Sequence, residues 1–167
     1  LIHNLGVKNY ETAQKFDSFG YVSRLKAEGK VKKMGFSFHD SAEVLDRILT
    51  DHPEVDFVQI QLNYVDWDNP IVHSGKLYEI LKKRNIPMII MEPVKGGMLA
   101  KMEDELEAVF KAENSEASIA SWALRFVGSL DGVATILSGM STEEQMQDNI
   151  TTFADFKPLT EKEQAAV

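Results

Sequence analysis

The chain has 167 residues, of which 44% are hydrophobic and 26% are charged, and its formal net charge is −8 at pH 7. Such an acidic balance argues against nucleic-acid binding, which needs clustered positive charge. The absence of cysteine excludes disulfides, thiolate zinc sites and an iron–sulfur cluster held by this segment's own sulfurs. No apolar run reaches the ~20 residues of a membrane helix, and no signal-peptide pattern opens the chain, so we expect a cytoplasmic protein without a membrane partner.

Apolar runs alternate with amphipathic helical patterns from one end of the chain to the other. The first three residues resemble the end of an apolar strand, so we expect the chain to be truncated at its N-terminus. Further strands are predicted at 31–38, 56–63, 86–92 and 133–138. Helices are predicted at 41–51, 71–84, 102–113 and 117–130, from 141 and from 160. Connections of this length predict right-handed β/α units and a parallel sheet in a single α/β domain.

Capping patterns and one helix face add detail to these elements. The helix at 117–130 places Trp122 and Phe126 on a core-facing stripe. Helix starts are indicated by three capping patterns: Asp40 or Ser41 with Glu43, the run Ser141–Glu144, and Thr160 with Glu163.

The strand at 56–63 bears on the choice between an open sheet and a barrel. Val58, Ile60 and Leu62 alternate with the amides of Gln59, Gln61 and Asn63. A central strand of an open sheet is covered on both faces and should be apolar on both. In a barrel, the apolar face meets the helices and the polar face lies inside, near the carboxyl-terminal end where active sites are found. An edge strand with a solvated face is the alternative that periodicity leaves open.

Motifs at successive strand ends carry a resemblance to a known family. They are LIHNL, KKMGFSFHD, VQIQLNY, IIMEPVKGGMLA and ILSGMSTEEQMQDNI. In this order they resemble the aldo/keto reductases from the fourth strand to the eighth helix, over essentially the whole chain. The stretches GFSFH, MEPVKGG and LSGMS are most similar to a bacterial and archaeal branch with a C-terminal iron–sulfur region. The resemblance implies such a cluster only in a full-length parent.

The resemblance implies a partial (β/α)8 TIM barrel, with residues 1–167 forming its carboxyl-terminal half. Family members transfer hydride between NADP(H) or NAD(H) and a small carbonyl substrate. Their Tyr general acid and the Lys and Asp that tune it would precede Leu1, so the chain alone is expected to be inactive. The family His that orients the carbonyl matches His3. A neutral imidazole there can donate a hydrogen bond to a carbonyl oxygen.

The resemblance also assigns cofactor contacts. Ser37 and Gln59 match residues that hold the nicotinamide carboxamide, while Phe38 replaces a family Asn. Met91 stands where the family has an aromatic residue stacked on the nicotinamide. The pyrophosphate loop matches Glu92, Pro93, Lys95, Gly96 and Gly97.

Further contacts are implied around the last predicted strand and helix. Ser138, Gly139, Met140 and Ser141 lead into the helix, whose N-terminus suits an anion. Gln145, Asp148 and Asn149 match the face that contacts the adenine, and a basic residue usual in the family is absent at Gln145.

Several alternatives remain open. The loop residues His39, Tyr64, Asp66 and Trp67 line a substrate pocket or are simply solvated. His52 and His73 have no partner at metal-ligand spacing, so no metal site is expected. A non-catalytic half-barrel binding or assembly module competes with the oxidoreductase hypothesis. A phosphate-binding hydrolase or isomerase is disfavoured, because no metal-binding set of acids and histidines marks the strand ends. The expected partner is the missing N-terminal barrel half or a second copy of the chain.

Overall fold

The computed structural model describes all 167 residues. Its strands are separated along the chain by one or more helices. The elements are β1 (Ile2–Leu5), α1 (Val7–Lys15), α2 (Ser18–Ala27), β2 (Gly35–Phe38), α3 (Ala42–Asp51), β3 (Phe57–Gln61), α4 (Ser74–Lys83), β4 (Met88–Met91), a short 3-10 helix (Lys95–Ala100), α5 (Asp104–Glu113), α6 (Ile119–Gly128), β5 (Val133–Ile136), α7 (Glu143–Ala154) and α8 (Glu161–Ala166). The strands form one sheet in the order β1-β2-β3-β4-β5. The predicted parallel α/β sheet is confirmed, with β1 and β3 both parallel to β2.

The alternation predicted for β3 is present in the structure. Val58 and Ile60 are 0% exposed, whereas Gln59 and Gln61 are half-buried. Helix α4 packs against β3, as expected for a strand whose apolar face meets helices. Because β3 is the central strand of the sheet, the alternative of an edge strand is wrong.

The strand predicted at 31–38 is shorter in the structure, where β2 begins at Gly35. A carboxylate holds the preceding segment: the Met34 amide donates to Asp56 Oδ2 at 2.8 Å, and Lys26 Nζ pairs with the same oxygen. Gly35 then lies so close to the next strand that a Cβ would be 2.3 Å from the Phe57 carbonyl oxygen. No bounds were predicted for the helices α1 and α2.

Two of the three predicted capping patterns need correction. Ser41 is the N-cap of α3, but its side chain makes no capping hydrogen bond. Asp40 accepts instead from the amides of Ser41 and Val7 at 2.7 and 2.9 Å, which links the start of α1 to the loop before α3. The box predicted at Ser141–Glu144 lies one residue later, at Thr142 and Gln145. The third prediction is confirmed, with Thr160 and Glu163 capping α8.

The chain divides into two compact units. The first comprises residues 1–61 and 65–89. Its core includes Tyr10, Phe19 and Phe36, which meet edge to face. The half-buried His52 stacks on Phe19 with ring centroids 3.6 Å apart, so its ring packs against this core.

The second unit comprises residues 62–64 and 90–167. Its core contains Phe110, Ile119, Trp122 and Leu159, and Phe110 stacks on Trp122 at 4.8 Å. The predicted core stripe of α6 is confirmed: Trp122 is fully buried, and Phe126 packs against the cluster.

None of the helices has the length and apolar character of a membrane-spanning segment.

Candidate nucleotide-binding groove

A groove of about 540 Å³ lies within the second unit. It is formed by the segments that follow β4 and β5, and the Leu137 amide donates to the Ile90 carbonyl at 2.8 Å where the two strands end. Both segments therefore leave the sheet at its carboxyl-terminal edge, where β/α proteins place their ligands. The predicted cofactor residues that line this groove are Met91, Glu92, Pro93, Gly96, Gly97, Ser138, Gly139, Met140, Ser141, Gln145, Asp148 and Asn149.

The first wall is the loop after β4, which turns through left-handed backbone conformations. Lys95, Gly96 and Gly97 have φ angles of 48°, 62° and 93° in succession. A Cβ at Gly96 would meet nothing closer than Glu92 Oε2 at 3.8 Å, and one at Gly97 would meet nothing within 4 Å. Glycine is thus needed here for the backbone conformation rather than for lack of space. Without side chains at two successive positions, a ligand can approach the backbone closely.

The second wall is the segment from Ser138 into α7, and its own hydrogen bonds hold it in place. Asn149 Nδ2 donates to Ser138 Oγ at 2.8 Å. Asp148 Oδ2 accepts from Ser118 Oγ at 2.7 Å, and Ser118 is the N-cap of α6. Two residues that sequence matched to adenine contacts therefore also fix α7 to its neighbours.

The N-terminus of α7 already has internal partners for its amides. The Ser141 amide donates to Gln145 Oε1 at 2.8 Å, and the Thr142 amide donates to the same oxygen at 3.3 Å. The Gln145 amide in turn donates to Thr142 Oγ1 at 3.3 Å. Glu143 and Glu144 occupy the first turn, where their charge complements the helix dipole. Because these amides already have partners, the start of α7 offers an anion fewer hydrogen-bond donors than an uncapped helix would.

The residues matched to the nicotinamide end lie in the first unit. Ser37 and Gln59 are direct neighbours in the register of β2 and β3. Ser37 is 1% exposed, and its Oγ accepts from the Asn4 amide at 2.7 Å. His3 is exposed on β1. Burial lowers the pKa of His39, and the charge of His3 lowers it further.

The other loop residues singled out in the sequence are largely structural. Asp66 is 0% exposed and accepts from Gln61 Nε2 at 3.1 Å. Tyr64 packs against Phe110, and burial raises the pKa of Tyr64 to about 12. Trp67 lines a separate cleft of about 490 Å³ in the first unit. The structure contains no group of three or more acids and histidines positioned to hold a metal ion.

Sequence reasoning missed the apolar part of the groove lining. These residues are Ala100, Ala120 and Leu137. Ala100 is the last residue of the motif that contains the loop, and Leu137 continues the apolar run of β5. Ala120 lies on α6, and no local pattern distinguishes it from other small helix residues.

The family model described as the aldo/keto reductase family matches residues 2–167. The chain belongs to the aldo/keto reductase family. The match covers both the β4 and β5 segments of the groove and the strands of the first unit. No curated protein sequence matches the chain.

Solved aldo-keto reductases share the fold at low sequence identity. The holo form of AKR11C1 from Bacillus halodurans is 18% identical with a TM-score of 0.69, and the match covers 86% of this chain and 51% of that one. Gox0644 in its apo form is 21% identical with a TM-score of 0.70, covering 93% and 53%. The thermostable Tm1743, solved with the inhibitor epalrestat, is 18% identical with a TM-score of 0.66, covering 87% and 51%. The chain thus spans about half the length of these structures.

Proposed function

We propose that the chain is the carboxyl-terminal half of a nicotinamide-dependent carbonyl reductase and that its groove binds the adenosine diphosphate part of NAD(P)(H). The observation that carries the proposal is the groove itself. Two sequence segments that match the family's cofactor motifs, some 40 residues apart, line one cavity at the carboxyl edge of the sheet. Its volume of about 540 Å³ is within the range of small-molecule sites.

The loop after β4 suits a diphosphate. Lys95 stands beside the bare backbone of Gly96 and Gly97, whose positive φ angles let amide groups and a cation approach the same anion. Lys95 is the cation of this loop; it is not among the residues that line the groove, and the charged residues that do line it are Glu92 and Asp148. We therefore assign the diphosphate to the Lys95 side.

The residues that the family match assigns to the nicotinamide are chemically suited to it. When bound, a reduced nicotinamide supplies the hydride that converts a carbonyl to an alcohol. Gln59 can both donate to and accept from a carboxamide, and the Ser37 hydroxyl can donate while it accepts from Asn4. A neutral His3 can donate to the carbonyl oxygen and polarise it. The proton for that oxygen must come from a general acid that the family resemblance places outside residues 1–167.

A titration with ADP-ribose tests the proposal. Lys95→Ala is expected to weaken binding roughly tenfold, since a hydrogen bond to a charged group contributes about 1.5–3 kcal/mol. Gly96→Val should weaken it to a similar extent, because a branched residue at a φ of 62° would be strained by roughly 1–2 kcal/mol and would displace the loop.

Matched controls separate loss of the site from loss of stability. Gly29 has a φ of 70° and nothing within 4 Å of its Cβ position, so Gly29→Val imposes similar strain in the first unit. Lys101→Ala removes a lysine that lies outside the loop of Glu92 to Gly97. Calorimetry should show both controls binding as the unaltered chain does. Unchanged affinity in Lys95→Ala and Gly96→Val would contradict the assignment.

A half-barrel assembly module is the second candidate, favoured by an exposed surface of the second unit. β5 is last in the strand order, and no residue of α7 is buried. Met146, Ile150 and Phe153 are 44%, 51% and 40% exposed at the spacing of one helix face. We propose that the N-terminal β/α half of an aldo/keto reductase barrel covers this surface. A module without catalytic function would associate there yet bind no ADP-ribose, so the same titration separates the candidates.

A further inference from the structure

Strand β1 contains an extra residue relative to the strand beside it. The register shifts within β1, and the pairs on either side of the shift are Ile2 with Phe36 and Leu5 with Phe38. His3 and Asn4 together therefore stand opposite a single residue of β2, Ser37. Two residues opposite one form a β-bulge, a feature that is frequent beside active sites, where it redirects a side chain.

The bulge lets two side chains of β1 lie on different faces of the sheet. In a regular strand, His3 and Leu5 would share one face, because side chains alternate. In the structure, Leu5 is 1% exposed and lies opposite the buried Phe38, whereas His3 is exposed and lies opposite Ser37. Ser37 in turn pairs with Gln59 of β3. His3 thus shares the face of the two residues matched to the nicotinamide, while Leu5 stays in the core.

Side chains hold the backbone of the bulge. Asn4 has a φ of 57°, in the left-handed region that asparagine adopts more readily than most residues. Its amide donates to Ser37 Oγ at 2.7 Å, and its carbonyl accepts from Asn9 Nδ2 at 2.6 Å. Both backbone groups of the left-handed residue therefore have side-chain partners in place of the strand ladder.

We propose that Asn4 and Asn9 are positioning residues for His3. With Ser37 they hold the bulge that places the His3 imidazole on the face where the carbonyl substrate is expected. The inference rests on the proposed function, because that function gives His3 the role of polarising the carbonyl. It adds two residues to which the family resemblance assigns no role, and it gives Ser37 a second one.

The pKa of His39 reports on the position of His3. Burial lowers the pKa of His39, and the charge of His3 lowers it further. An NMR titration of the four histidines of the chain measures it, and we expect His3→Gln to raise it. Asp40, the carboxylate next to His39, accepts from the Val7 amide and is unaltered in every variant.

Asn4→Val should raise the pKa of His39 as His3→Gln does. A β-branched residue disfavours the left-handed conformation, so the variant should force β1 into a regular register. Leu5 should then keep its buried place, because exposing a leucine side chain costs more than moving an exposed imidazole. His3 is therefore the residue that is displaced. Asn9→Ala, which alters an exposed side chain, should produce a smaller rise in the same direction.

A double-mutant cycle separates displacement of His3 from a general loosening of the strand. If Asn4→Val acts by moving His3, adding His3→Gln should raise the pKa of His39 no further. If it only exposes His39, the two rises should add, and the positioning role would be overturned. Asn85→Val is the matched control, because Asn85 has a φ of 55° and lies beyond the end of α4. This control should lower Tm without moving the pKa.

Asn4→Gly is the conservative variant, because glycine adopts positive φ angles freely, and it should keep the His39 pKa of the unaltered chain. A His39 pKa that does not respond to His3→Gln would overturn the placement of His3. If Asn4→Val does not fold, an unchanged pKa in Asn9→Ala would overturn the role of Asn9 and with it this inference. ADP-ribose binding is measured separately: its absence would overturn the proposed function but would not alter the titration of His39.

Discussion

The 167-residue chain is expected to show no measurable oxidation of NADH or NADPH with a generic aldehyde. The family resemblance places the tyrosine, lysine and aspartate of the proton-donating system outside it, and loss of general acid catalysis costs on the order of 10²–10⁴ in rate. Only His3 remains among the matched catalytic residues. The absorbance of NADH or NADPH, followed with an aldehyde and a high concentration of the chain, measures whether the cofactor is oxidised.

Three of the chain's four tyrosines are buried or half-buried, and the fourth, Tyr21 on α2, is 56% exposed. Burial and a hydrogen bond to Asp51 raise the pKa of Tyr10 to about 12, and burial raises that of Tyr64 to about 12 as well. Tyr78 is 3% exposed. A general acid works best with a pKa near the working pH. The raised pKa values therefore make Tyr10 and Tyr64 poorer general acids. Carbonyl reduction by the unaltered chain that disappears in His3→Ala would contradict the prediction that the chain is inactive.

The largest single effect on stability is expected at Arg125 and Glu163. The guanidinium donates to both carboxylate oxygens, at 2.7 and 2.8 Å, and the side chains are only 12% and 11% exposed. Glu163 also accepts from the Thr160 amide at 2.9 Å. Removing one partner would leave the other charge largely buried, so Arg125→Met should lower the free energy of unfolding by about 3 kcal/mol.

The same pair predicts a pH dependence. The hydrogen bonds from Arg125 lower the pKa of Glu163 from 4.5 to about 2. A carboxyl whose pKa is depressed in the folded state stabilises it fully above the unfolded pKa, and that contribution is lost as pH falls from about 4.5 to about 2. The contribution is about 3 kcal/mol at neutral pH.

Urea denaturation at pH 7 and near pH 2 measures both effects. Glu163→Gln should be clearly less stable than the unaltered chain at pH 7, and the difference should shrink towards pH 2. The control is Asp155→Asn, since Asp155 and Lys157 are 84% and 76% exposed and such a pair contributes at most about 1 kcal/mol. A Glu163→Gln difference that does not change with pH would contradict the role of this ion pair.

Much of the groove could be predicted from the sequence because its two walls are short contiguous motifs. Each motif follows a strand, and parallel strands bring their carboxyl ends to one edge. The alternation of apolar and polar side chains in β3 could be predicted for a similar reason, since a period of two residues depends on local strand geometry alone.

The errors arose where a side chain reaches across the fold. Asp56 accepts a hydrogen bond from the Met34 amide, although the apolar pattern had placed Met34 in a strand. Asp40 accepts from the Val7 amide instead of capping α3. Neither partner can be inferred from neighbouring sequence. Tyr64 lies on a loop, as predicted, but its ring packs on Phe110, far along the chain. Local patterns specify elements, whereas these bonds depend on the assembled fold.

The most direct measurement is an amide chemical-shift titration of the ¹⁵N-labelled chain with ADP-ribose. The predicted result is a set of saturable shifts concentrated at residues 92–97 and 138–149, the two walls of the groove. Shifts concentrated instead at the cleft beside Trp67 and Lys76, or no saturable shifts at millimolar ligand, would contradict a nucleotide-binding role for this groove.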